Sequence, residues 1–254
     1  MRFSLEQFSE VFRIRDAAGR PYILIGGQAV NYWAERYLPT EPTLRKLLPF
    51  TSVDIDFRGN REDVQRIAAQ LNLPPVYPPK VAITALAGAV PFSIGGIKSN
   101  IEIVRRVPGV SAPAIEALAI EAEWSGRQIR VLDPISLLAG KLELALTVSQ
   151  TGRQDVAHLK ILLPCVRGFL RELLVGVHSG DLPVKGWLGA VNRILKLSKS
   201  TQGRKATQRF ALDWREALPL QEIAKSPHPK IVEFAAKQLT RWNPTGITRG
   251  DALP

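Results

Sequence analysis

Two aspartates spaced one residue apart, in a stretch otherwise suited to the protein interior, constrain this chain more than any other feature. In Ser52-Val53-Asp54-Ile55-Asp56-Phe57 the apolar residues alternate with the acids. A strand puts successive side chains on opposite faces, so Val53, Ile55 and Phe57 are expected in the core and both aspartates on the other face. Two carboxylates that close repel and raise each other's pKa unless a cation lies between them. Hard oxygen ligands of this kind suit Mg²⁺ or Mn²⁺, which keep positions free for water and phosphate oxygens. The plain alternative is an edge strand with two solvated acids.

Other residues can be read against this pair. Upstream, the apolar run Tyr22-Ile23-Leu24-Ile25 ends in Gly26-Gly27-Gln28. Glycines between a strand and a helix allow close backbone approach, and the helix N-terminus then offers free N–H groups to phosphate. A simple tight turn is the alternative. Glu102 lies between Ile101 and Ile103 and repeats the pattern of a charge on a core strand. It is the candidate third carboxylate of a two-metal site, or else part of an exposed strand face. Lys141 sits among Leu137, Leu138, Leu144 and Ala145 at helical spacing, and Asp155 shares a stripe with Leu159 and Leu162. The two are read either as a structural salt bridge or as a lysine held for a triphosphate and oriented by an aspartate.

The order of elements predicts an α+β fold. Helices are expected over residues 5–14, 28–37 and 61–71, and strands over 22–25, 51–57, 81–86, 89–94, 97–104 and 124–131. Residues 38–49 and 73–80 read as irregular. From Asp133, a good N-cap followed by Pro134, the pattern turns helical. Helices are expected from there to about 148 and over 154–163, 168–174, 184–197, 207–218 and 230–241, with a basic loop over 199–205. A boundary is expected near Asp133, between an α+β domain that carries the acids, residues 1–133, and a helical, basic domain, residues 134–254.

Charge separates the same two regions. Residues 1–159 hold 18 Lys and Arg against 16 Asp and Glu, while residues 160–254 hold 16 against 7. Most of the net charge of +11 therefore lies in the C-terminal part. Such a surface either aids solubility or meets a nucleic-acid backbone, RNA and tRNA included. The single cysteine, Cys165, lies in an apolar run and reads as a core residue. The three histidines offer no metal-ligand spacing. No run of about 18 apolar residues suggests a membrane span, and the first twelve residues are unlike a signal peptide, so a cytoplasmic location is expected.

Gly26-Gly27 followed by Asp54-Ile55-Asp56 resembles the nucleotidyltransferase superfamily that includes DNA polymerase beta. Asp133-Pro134 leading to Lys141, with Arg153-Gln154-Asp155 opening the next helix, resembles its AbiEii-type members, the toxins of some bacterial toxin–antitoxin systems. The resemblance covers roughly residues 8–163. It implies a nucleotidyltransferase-like mixed sheet and Mg²⁺-dependent transfer of a nucleoside monophosphate from a nucleoside triphosphate. It also implies an antitoxin partner. Residue by residue, it implies that Gly26 and Gly27, with Gln28 beside them, hold the nucleotide phosphates, that Asp54 and Asp56 bind metal, and that Lys141 and Asp155 are the later functional pair. The chain departs from the pattern in its long stretch between Gly27 and Asp54, in having Pro49 and Phe50 where an arginine is common, and in Gln154 where lysine is common. Two further readings are a nucleotidyltransferase acting on a protein or small molecule, and a degenerate scaffold that only binds nucleic acid.

Overall fold

The structure, a computed structural model, describes residues 1–240 and Trp242. Six strands form one mixed sheet: β1 (Ile23–Ile25), β2 (Ile55–Arg58), β3 (Leu86–Ile94), β4 (Ile97–Val104), β5 (Ala119–Trp124) and β6 (Arg127–Leu132). Their order is β3-β4-β2-β1-β6-β5. β1 is antiparallel to β2 and parallel to β6, and β2 is parallel to β4. The outer pairs β3–β4 and β5–β6 are antiparallel hairpins. Flanking this sheet are α1 (Gly26–Tyr37), α2 (Arg61–Leu71) and α3 (Ala112–Leu118). The remainder is helical: α4 (Pro134–Thr147), α5 (Asp155–Ser179), α6 (Val184–Lys199), α7 (Thr201–Phe210), α8 (Leu220–Ala224) and α9 (Pro229–Phe234). The chain thus adopts the expected α+β architecture of a mixed sheet flanked by helices and followed by a helical part. Among the described residues no helix is long and apolar enough to cross a membrane.

Local chemistry sets several boundaries. Asn60 opens α2 with a capping box: its side chain accepts from the Glu62 and Asp63 N–H groups, and Asp63 accepts from the Asn60 N–H. Asn72 then ends the helix in the left-handed region. Asp133 accepts from the Ile135 and Ser136 N–H groups, and Pro134 occupies the first helical position of α4. Ile55 and Phe57 are fully buried beneath the sheet, as alternation requires. Cys165 is buried in the helical core.

The structure corrects several sequence expectations. Residues 81–85 form no strand: β3 begins at Leu86, and Val81 and Ile83 are exposed. The interval before β6 holds α3 and β5, because Ser125 and Gly126, both at positive φ, turn a hairpin there. The segments expected as separate helices over 154–163 and 168–174 are one helix, α5, running through Pro164. Gly168 does not break it. A Cβ there would lie 2.7 Å from the Tyr37 ring, so the glycine is a notch that lets α1 pack against α5. The basic segment 199–205 is no loop either, since Ser200 caps α7 through the Gly203 N–H. Thr207 begins no helix; α7 ends at Phe210, and a 3₁₀ turn follows at Trp214–Ala217. Of the helix expected over 230–241, α9 and a π turn at Ala235–Leu239 account for the described part. Residue 241, and residues 243–254 of the expected C-terminal domain, lie outside the described residues.

The segment 38–49, expected to be irregular, contains a 3₁₀ helix at Pro42–Leu47. It is anchored by Glu41, a buried carboxylate that accepts from Arg167 and Arg171 of α5. The chain between Gly27 and Asp54 is therefore clamped to the helical part rather than looped free.

Candidate active site

Sheet register brings the acids and glycines together. Ile25 pairs with Asp56 across the antiparallel β1–β2 pair, so the turn that starts α1 lies directly against that aspartate. Asp56 pairs with Glu102 across the parallel β2–β4 pair. One cleft of about 340 Å³ is lined by Gly26, Gly27, Asp54, Asp56, Glu102, Lys141 and Asp155, together with Ser52, Arg106, Arg153 and His158.

The glycines begin the helix rather than precede it. Gly26 has φ +67°, and a Cβ there would collide with the Asp56 carboxylate. A Cβ on Gly27 would collide with the Ser52 side chain. Both positions therefore need a residue without a side chain, and the first N–H groups of α1 are left near the acids. Gln28 is turned away from the cleft. It is fully buried, donates to the Phe3 carbonyl at 3.1 Å and accepts from Asn31 at 2.8 Å. As the third residue of α1 it points its side chain to the Phe3 side rather than into the cleft, which corrects its expected place beside the phosphates.

Asp54 lies just before β2, not within a strand over 51–57. Ser52 pairs with Phe3 instead, through bonds of 2.7 and 2.9 Å between their backbones. That pairing bends the segment and leaves Val53 exposed rather than in the core. Asp54 still faces the same cleft and accepts a long hydrogen bond, 3.4 Å, from the Ser52 hydroxyl.

The two walls differ in charge balance. Burial pushes the Asp56 carboxyl well above the usual range, and repulsion from Asp54 and Glu102 adds to it, against the attraction of Lys141 and the Gly27 N–H. Asp54 is also raised by burial, less so because Lys141, Ser52 and Arg153 favour its anion. Glu102 is raised by burial and then by Asp54. Opposite them, Lys141 donates to Asp155 Oδ1 at 3.0 Å and Arg153 donates to Asp155 Oδ2 at 2.6 Å. Burial opposes ionisation of Asp155 too, yet these two cations hold its pKa below the usual value.

Among the described residues, no group of three or more His, Cys, Asp or Glu side chains stands ready to hold a metal ion. The donor chemistry of Asp54 and Asp56 nevertheless suits a hard divalent cation, because they are oxygen donors whose charges oppose each other across a partly buried cleft. Asp155 does not suit one, since both its oxygens are taken by cations.

The sequence does not single out Ser52, Arg106, Arg153 or His158 as cleft residues; Arg153 enters only within the Arg153-Gln154-Asp155 motif. His158 lies one helical turn beyond Asp155, so the i,i+3 spacing on α5 was the signal available for it.

A scan of protein-family models finds no match to this chain. A search of curated proteins finds none either. Among solved structures, the chain is similar to the crystal structure of an antigenic nucleotidyltransferase-like protein from Paracoccidioides brasiliensis, at 12% identity and a TM-score of 0.42, over 65% of this chain and 78% of that one.

Proposed function

We propose that the chain is a nucleotidyltransferase that moves a nucleoside monophosphate from a nucleoside triphosphate to an acceptor hydroxyl, releasing pyrophosphate. The observation that carries this reading is the incomplete charge balance of one wall: Asp54, Asp56 and Glu102 repel one another across a cleft that also holds the N-terminus of a glycine-started helix. Asp54 and Asp56 would hold Mg²⁺ or Mn²⁺, with water and phosphate oxygens completing the shell. When bound, the ion neutralises charge on the triphosphate and on the leaving pyrophosphate.

The chain's own residues do the rest by position and charge. Gly26 and Gly27 bring the start of α1 to the phosphates, the Gly27 N–H being shared with Asp56. Lys141 neutralises a phosphate oxygen while Asp155 fixes its ammonium in place. Glu102, whose raised pKa brings it closer to neutrality, accepts the proton of the attacking hydroxyl, and it would be the third carboxylate ligand if a second metal were held.

RNA, tRNA included, is the acceptor class that the charge distribution favours. Lys205 and Arg209 of α7 flank a groove that also takes Leu146 and Thr147, at the end of the helix that carries Lys141. Phosphates tracking this groove would be led along α4 toward the cleft, and such binding weakens with salt. A toxin role with an antitoxin partner rests on the sequence resemblance alone.

The test is incubation with each of the four labelled nucleoside triphosphates, Mg²⁺ and total RNA. Label reaching RNA, and failing to do so with EDTA, is the expected result. Label on protein instead would replace the acceptor, and salt-sensitive RNA binding without transfer of any label would overturn the enzyme reading.

A further inference from the structure

His158 is 3% exposed and lines the candidate cleft, and neither of its ring nitrogens has a hydrogen-bond partner. Buried polar groups are nearly always paired, so a buried imidazole with both nitrogens orphaned calls for an explanation. The ring is wedged where α5 meets the start of α1: a Cβ added to Gly27 would stand 3.3 Å from His158 Cε1. Asp155 lies one turn before it on the same helix face, and Lys141 and Arg153 crowd that carboxylate.

The surroundings select what the ring can bind. Asp155 has both oxygens committed, so it cannot join His158 as a metal ligand. Burial disfavours a proton on the ring most, Lys141, Arg2 and Arg153 add to it, and Asp155 opposes them, which together push its pKa down to about 3. The imidazole is therefore neutral at working pH and keeps one N–H to donate. A group that meets it must accept a hydrogen bond, tolerate a cationic neighbourhood and reach the N-terminus of α1. An anionic oxygen meets all three conditions.

We infer that His158 is a substrate-binding residue whose neutral ring N–H donates to a non-bridging oxygen of the triphosphate, alongside Lys141 and the Gly26-Gly27 backbone. This rests on the proposed nucleotidyl-transfer reading and adds to it a ligand contact that neither the carboxylates nor the lysine supply. It also accounts for Gly27: any side chain there would press on the ring that has to meet the phosphate.

Binding can be read apart from turnover. Inorganic tripolyphosphate and each nucleoside triphosphate, with Mg²⁺, are titrated into the protein by calorimetry, and the ¹⁵N-labelled imidazoles are followed by NMR. The expected result is a shift of the His158 ring nitrogens on adding tripolyphosphate and a loss of about tenfold or more in affinity for His158→Leu, as for a hydrogen bond to a charged group. His158→Gln, which restores a donor, recovers part of that loss. His158→Leu removes two orphaned nitrogens, so its melting temperature is expected to hold or rise, which separates lost binding from lost fold. If the wild type binds and its ring signals stay still, or His158→Leu binds as tightly, the nitrogens serve only the core and the inference fails while the parent reading stands. If the wild type binds neither probe, both fail.

Discussion

The two walls of the cleft hold the same kind of residue in opposite states. On one, Asp155 is buried yet ionises more readily than a free aspartate, because Lys141 and Arg153 take both its oxygens. On the other, Asp56 is pushed far upward by burial and by two neighbouring acids. The first wall is electrostatically complete and the second is short of positive charge. An ion pair of the first kind is ordinary structure. A cluster of the second kind lowers stability, and is retained where something cationic occupies it in use. The metal chemistry is therefore to be sought at the acids, while Asp155 fixes Lys141 in place beside them.

Removing one acid tests the comparison most strongly. Asp54→Asn is expected to lower transfer by about 10²–10³, as for loss of one preorganised electrostatic group, with the fold as stable or more stable because a repulsion is relieved. Single-turnover transfer and chemical denaturation report the two halves. Wild-type transfer by this variant would mean the acid wall is not the centre of the chemistry. Lys141→Met should do the reverse to stability: it leaves Asp155 buried with Arg153 alone, at a cost of about 3 kcal/mol, the low end for breaking a buried pair. A denaturation midpoint unchanged from wild type would show that Arg153 alone suffices to hold the Asp155 carboxylate.

Acidity separates the walls by sign. The folded pKa of Asp155 lies below its ordinary 3.8, so the stability it contributes is whole above that value and is lost as pH falls through the lowered one. Asp54, Asp56 and Glu102 are raised in the folded state. What they contribute is present below their ordinary values of 3.8, 3.8 and 4.5 and is lost as pH rises through the raised ones. His158 runs with Asp155, losing stability as pH falls from its ordinary 6.5 toward about 3. Subtracting the stability curve of an Asp54→Asn/Asp56→Asn/Glu102→Gln variant from that of the wild type cancels the His158 part. In metal-free buffer the difference should move in favour of the wild type on acidification from neutrality, by up to about 1.4 kcal/mol per pH unit for each proton taken up. A flat difference would mean that neither burial nor mutual repulsion raises the three acids in the folded protein.

The acid wall was more legible in sequence than its surroundings. Period-two alternation marks Asp56 and Glu102 because a charge between two core residues can face only one way. Lys141 stands out by the same logic at helical period. Asp54 was harder to place, since its backbone is bent by the Phe3–Ser52 pairing, a contact between segments about fifty residues apart. Long-range packing also hid α5. Pro164 and Gly168 read locally as breakers, yet the helix persists because the Tyr37 ring fills the space Gly168 leaves. The missing hairpin strand β5 is short and half polar, with Glu121 and Glu123 exposed, so its alternation merged with that of its partner. His158 carried only its spacing of three from Asp155, which does not by itself place it in a cleft. Its place depends on where α1 meets α5.

Gln28 gives the smallest expected effect on transfer and the finest test of where the site ends. Sequence position put it with the glycines, but its hydrogen bonds put it with the completed, structural groups: the Phe3 carbonyl accepts from it, and Asn31 donates to it. Through Phe3 it holds the N-terminal segment that pairs with Ser52, so its influence on Asp54 is indirect. Gln28→Ala should cost about 1–2 kcal/mol in denaturation, as for buried hydrogen bonds lost with their partners left behind. Triphosphate affinity, measured by calorimetry well below the melting temperature, should stay within about twofold of wild type, since no hydrogen bond to the ligand is removed. A tenfold loss of affinity with full stability would move Gln28 across to the functional wall, and would mean that α1 turns on its axis when the cleft fills.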